Sequence, residues 1–101
     1  MPRLRLMPQA LADLEAIHAY IAADNPPAAD KLIERIEIRM RSLERHPHQG
    51  RERPELRPGL RSLVLGSYLV LYTATDAFAD VARVLHGAQD LPALLGQKPD
   101  A

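Results

Sequence analysis

Cysteine is absent from the 101 residues, which excludes disulfides and thiolate metal sites. That fits a reducing compartment. Aromatic residues are almost absent too: three Tyr, one Phe and no Trp. So few rings make a base-stacking surface for nucleic acid hard to build. No apolar run approaches the ~20 residues of a membrane span. Met1-Pro2-Arg3-Leu4-Arg5-Leu6 lacks the long apolar stretch of a signal peptide. A cytoplasmic location without membrane contact is the expectation. Net charge is absent as well, with 13 Lys/Arg against 13 Asp/Glu.

What is present is ordinary globular composition, 47% apolar and 26% charged, in a length that suits one domain. Such a chain buries roughly 60–65% of its unfolded surface. The charge is unevenly placed. Residues 31–61 carry nine Lys/Arg against five Glu, while each flank is net acidic. The middle third is either a solvated helix face with paired charges or the face that meets an anionic partner.

Arg3-Leu4-Arg5-Leu6 alternates with the period of a half-buried strand. Pro8 suits the first turn of a helix. Leu11, Leu14, Ile17 and Ile21 then mark one apolar face, with His18 at its border and Asp13 and Glu15 toward the positive helix end. Asp24-Asn25-Pro26-Pro27 stops that helix, and Asn25 is a good cap for the next. The second helix is expected from Pro27 to His46, burying Ala29, Ile33, Ile36, Met40 and Leu43. So short a break implies an antiparallel helix hairpin.

Pro47 to Gly59 holds three prolines and two glycines and reads as loop. Leu60 to Leu65 reads as a strand and Gly66-Ser67 as a two-residue hairpin turn. Tyr68-Leu69-Val70-Leu71-Tyr72 is an apolar strand suited to the centre of a covered sheet. Thr75 to Ala79 reads as a turn and Asp80 to His86 as a third strand. Leu91 to Leu95 can form a helical turn. The fold class is therefore α+β: an N-terminal strand, then a two-helix antiparallel hairpin packed on an antiparallel β-meander. One domain is expected over 1–96, with 97–101 a frayed tail.

Several segments carry a family pattern. Pro8-x-Ala10-x-x-Asp13-Leu14-x-x-Ile17 opens helix one, and Tyr20-Ile21-Ala22-x-Asp24-Asn25-Pro26-x-Ala28-Ala29 crosses the hairpin. Pro47-x-x-Gly50-Arg51 starts the loop. Arg57-x-Gly59-Leu60-Arg61-Ser62-Leu63 enters the sheet, followed by Tyr68-Leu69-Val70-Leu71-Tyr72 and Arg83-Val84-Leu85-His86-Gly87-x-x-Asp90-Leu91. In this order, over about residues 3–91, they resemble the ParE toxins of the ParE/RelE type II toxin–antitoxin superfamily. Two positions depart from that pattern. Met7 replaces the Ser or Thr cap, and Ala88-Gln89 replaces the arginine that follows His-Gly in many members.

The resemblance implies a toxin that binds and inhibits DNA gyrase, without cofactor or metal. It also implies a ParD-like antitoxin with a ribbon-helix-helix domain, through which alone DNA is contacted. A groove between the helix hairpin and the sheet, or an open sheet edge, would receive the antitoxin's tail; the contact residues stay unknown. Arg51, Arg53, Arg57 and Arg61 are the candidates for target contact, together with the tail after Gly87.

RelE-type relatives imply a different activity, ribosome-dependent cleavage of mRNA. That chemistry needs a base, cations on the phosphate and an acid. His86 is the one credible acid/base, with Arg61, Arg83 and Glu52 near it in the pattern. The alternative for His86 is a strand-end residue bonded to backbone. For Arg61 and Arg83 it is an ion pair with a sheet or loop carboxylate. In a regular strand Arg83 and His86 point to opposite faces, unless a bulge or the strand end brings them together. Tyr68 and Tyr72 read as core aromatics with bonded hydroxyls. His46 and His48 lack further ligands for a metal. A third reading is an inactive protein-binding module.

Overall fold

Pro8 opens α1 (Pro8–Ala22), and Met7 at its cap makes no side-chain hydrogen bond. Asn25 caps α2 (Pro26–Arg41), its side chain accepting from the Ala28 N–H at 3.2 Å. The expected second helix is shorter than its sequence allows. It gives way after Arg41 to a tighter 3-10 turn at Ser42–Glu44, which carries Leu43 into the core. The computed structural model describes residues 1–87. The expected helical turn at Leu91–Leu95 and the tail at 97–101 lie outside them.

The strands are β1 (Arg3–Leu6), β2 (Arg51–Glu52), β3 (Arg61–Leu65), β4 (Tyr68–Ala74) and β5 (Phe78–His86), in sheet order β1-β5-β4-β3-β2. The architecture is α+β as the sequence implies. β3, β4 and β5 form the antiparallel meander, while β1 pairs parallel with β5. Gly66 has φ of +57° at the first position of the β3–β4 turn, the pattern of a type II′ hairpin. β5 starts earlier than its sequence pattern shows, because Phe78 and Ala79 pair with Arg3 and Leu4.

Both faces of the sheet are covered. On one, Ala10 and Leu14 of α1, Ile36 and Met40 of α2 and Leu43 pack on Leu63, Val70, Tyr72, Ala79, Val81 and Val84. On the other, Leu56 and Leu60 of the long loop pack on Leu69, Leu71 and Leu85. The apolar run in β4 needs both covers.

The stretch from Pro47 to Gly59 is not wholly loop, since it contributes β2. Tyr72 explains why. Its buried hydroxyl donates to the Pro47 carbonyl and accepts from the Gly50 N–H, both at 2.8 Å. Burial pushes its phenol pKa up, so the donor proton stays in place. Arg61 donates to the Gly50 carbonyl at 2.8 Å. Gly50 must be glycine here, since a Cβ would sit 2.6 Å from the Tyr72 hydroxyl and 2.9 Å from the Ser62 carbonyl. These bonds hold the chain where Arg51 and Glu52 reach the β3 edge.

β5 carries an irregularity with consequences. Tyr72 pairs with Val81 but Leu71 pairs with Arg83, so Ala82 is one residue extra, a β-bulge. Beside it Asp13 of α1 clamps the strand. Its carboxylate accepts from Arg83 Nε and Nη2 at 2.8 and 2.9 Å and from the Val84 N–H at 3.0 Å. The two side chains are only 15% and 13% exposed. Asp13 lies beyond the first turn of α1, so its partner is Arg83 and not the helix end.

Two outcomes follow from these tethers. Gly50→Ala and Tyr72→Phe should each cost about 1–3 kcal/mol, the first by a clash and the second by orphaning a buried amide. Urea denaturation should show the two penalties to be non-additive; midpoints within error of the parent would refute the tether. Asp13→Ala should cost about 3 kcal/mol, because it removes the carboxylate that accepts from both Arg83 nitrogens and the Val84 amide together. Adding Arg83→Met to it should recover part of that loss, and no recovery would show that the pair is not the cause.

Candidate functional site

β1 covers β5 only as far as Val81, whose carbonyl accepts from the Met7 N–H at 2.9 Å before the chain turns into α1. The outer edge of β5 from Ala82 to His86 therefore has no strand beside it among the described residues. α1 runs past this edge and leaves a groove of about 540 Å³. Ile17 and Ala16 form the helix wall, Val84, Leu85 and Tyr68 belong to the sheet wall, and Asp13, Arg83, Tyr20 and His86 complete the lining. Tyr20 is 84% exposed, unusual for an aromatic side chain on a chain with so few. The Tyr68 ring meets the His86 ring edge-on, with centroids 5.5 Å apart and an interplanar angle of 86°.

Arg83 and His86 line the same groove, because it wraps the open edge of β5 and takes consecutive residues from Arg83 to His86; the bulge lies before this pair, which keeps regular register opposite Leu71 to Tyr68. Arg61 does not join them. It lies across β4 and donates to the carbonyls of His48 and Gly50, with Glu52 3.3 Å away. Arg83 is held bidentately by Asp13, which raises its pKa above the ordinary guanidinium value. Both arginines are thus in ion pairs. The Arg83 partner is a helix carboxylate, where a sheet or loop acid was expected.

The four arginines expected to meet a target also divide. Arg53 pairs with Glu55 at 2.7 Å and reaches Ser62 Oγ at 3.3 Å. Arg61 belongs to the Gly50 tether. Arg51 and Arg57 are exposed, and among the described residues neither makes a side-chain hydrogen bond or ion pair. Tyr72 is the core aromatic that the sequence implies, while Tyr68 is half-buried and lines the groove instead. His18 is half-buried and bonds Asp30 at 2.8 Å, joining the two helices. Among the described residues no group of three His, Asp or Glu is placed to hold a metal ion, and no helix is long and apolar enough to cross a membrane.

Asp13 and Tyr20 were not singled out as functional from sequence. Asp13 did carry a signal: it is an acid between Ala10 and Leu14 on the buried side of α1, where a carboxylate needs a partner.

Residues 4–91 match the family described as ParE toxin of type II toxin–antitoxin system, parDE. Toxin ParE3 of Caulobacter vibrioides is 33% identical over 87 residues, covering 85% of this chain and 87% of that protein. Toxin RelE2 of the same organism is 34% identical over 82 residues, covering 80% and 90%. The solved structure of a chromosomal ParDE TA system from P. aeruginosa superposes with a TM-score of 0.73 at 27% identity, covering 85% of this chain and 96% of that one. Sequence, fold and family match agree: the chain belongs to the ParE toxin family of type II toxin–antitoxin systems, within the ParE/RelE superfamily.

Proposed function

We propose that this toxin inhibits DNA gyrase in the cytoplasm by binding it, without bond-making chemistry of its own. The observation that carries this reading is the commitment of its arginines. RNA cleavage needs cations free to follow charge building on a phosphate. Arg83 faces a carboxylate at 2.8 and 2.9 Å, and Arg61 is spent on backbone carbonyls across the sheet. Similarity to Toxin ParE3 supports the same reading. Arg51 and Arg57 are the candidate contacts for the target, presented from the loop that Tyr72 anchors, with Arg53 and Arg61 shaping that loop.

The antitoxin in this reading is ParD-like, with a ribbon-helix-helix domain that alone contacts DNA. Its tail folds into the α1–β5 groove. The groove offers apolar walls and an exposed ring at Tyr20, beside a strand edge that has no strand next to it among the described residues. A disordered segment that docks there gains apolar burial, and backbone bonds at the edge positions other than the Val84 amide, which Asp13 already takes.

A second reading, RelE-type mRNA cleavage, has one observation in its favour. His86 and Arg83 line one groove at the β5 edge, and Toxin RelE2 is as similar to this chain as Toxin ParE3.

Purified toxin should block supercoiling by gyrase, and Arg51→Glu with Arg57→Glu should weaken the block by roughly tenfold. Unhindered supercoiling at large molar excess, with cut message in a translation extract, would establish the second reading instead. The protein should also co-elute with the product of its neighbouring gene. Tyr20→Asp should weaken that complex at least about tenfold, because a charge enters an apolar contact. Unchanged co-elution of the variant would remove the groove as the docking site.

A further inference from the structure

A second cavity, of about 460 Å³, shares no residue with the groove. It is lined by Met1, Pro2, Arg3, Arg41, Glu44 and Arg45. Three parts of the chain meet there. Arg3 comes from β1, the outer strand of the sheet. Arg41 closes α2, and Arg45 follows the 3-10 turn. Leu43 within that turn is fully buried, which fixes its neighbours at the rim. Glu44 locks the assembly by accepting from the Leu4 N–H at 3.0 Å.

The charges do not balance. Arg3, Arg41 and Arg45 are all exposed, and none makes a side-chain hydrogen bond or ion pair among the described residues. Glu44 is the lining acid, and it bonds an amide. A helix C-terminus favours cations, which accounts for Arg41. It does not account for Arg3, which arrives from the strand. Converging like charges in a concave site focus a positive potential and attract an anion. The guanidinium fork suits carboxylates, which it binds bidentately. Ile38 lies one helical turn before Arg41 and is 61% exposed, so an apolar contact sits beside the cations.

We propose that Arg3, Arg41 and Arg45, with Ile38 beside them, form a docking site for an acidic peptide segment that carries an aliphatic residue among its carboxylates. Charge complementarity names the occupant. Addition of a full strand to β1 is disfavoured, because the Leu4 amide on its outer edge is already taken by Glu44. Recognition therefore runs through side-chain carboxylates. A nucleic-acid duplex fits less well: it needs a continuous basic face, and the neighbouring surface of β1 holds Arg5 paired with Asp80 at 2.7 Å. The site stands independently of the gyrase and groove readings.

The test uses the full chain and a short fluorescein-labelled peptide of alternating glutamate and leucine, followed by anisotropy. A glutamine-for-glutamate peptide and a labelled DNA duplex are the comparison probes. The glutamate peptide should bind saturably and lose affinity as salt rises, and the glutamine peptide should not bind. Arg41→Glu with Arg45→Glu should weaken binding at least about tenfold, while Arg57→Glu should leave it unchanged. Thermal melts check the fold, and Arg45→Gln alone, at an exposed position without partners, should still give a several-fold loss. No binding of the glutamate peptide would overturn the site. So would an equal loss in Arg57→Glu, or tighter binding of the duplex with loss in the same variants.

Discussion

The Asp13 carboxylate is the point on which the architecture turns. Three donors converge on it, two from Arg83 and one from the Val84 amide, at 2.8 to 3.0 Å. It fixes α1 against β5 where the bulge at Ala82 has interrupted the ladder. β1 has already left, so a helix side chain satisfies the amide that a neighbouring strand would otherwise take. The groove exists because this clamp holds helix and strand together without closing the edge between them. The same clamp commits the Arg83 charge to Asp13, and the proposed binding function rests on that commitment.

The helix hairpin was legible because its signals are local. Asn25, Pro26 and the stripe of Ala29, Ile36, Met40 and Leu43 all act within a turn or two of sequence. The meander was legible for the same reason, through Gly66-Ser67 and the apolar β4. What escaped depends on contacts between distant residues. β2 forms because Tyr72, 22 residues from Gly50, tethers the loop. The parallel pairing of β1 has no local mark, since Arg3-Leu4-Arg5-Leu6 alternates alike in either direction. Ala82 is an ordinary strand residue, so the bulge could be raised from sequence only as a condition for joining Arg83 to His86.

The candidate site was partly legible for a related reason. Arginines can be counted in a sequence, but their partners cannot. Arg51, Arg53, Arg57 and Arg61 look equivalent on the page. In the fold Arg53 and Arg61 brace the loop, and Arg51 and Arg57 face solvent. The acidic partner of Arg83 sits 70 residues upstream on a helix, where sequence periodicity placed it merely near a helix end.

His86 packs edge-on against Tyr68 in the groove, and the proposed function gives it no proton transfer to perform. Growth inhibition on expressing His86→Ala without the neighbouring antitoxin tests this most directly. The account predicts arrest as strong as with the parent chain. Restored growth, with the variant folded and present at parental levels, would contradict it.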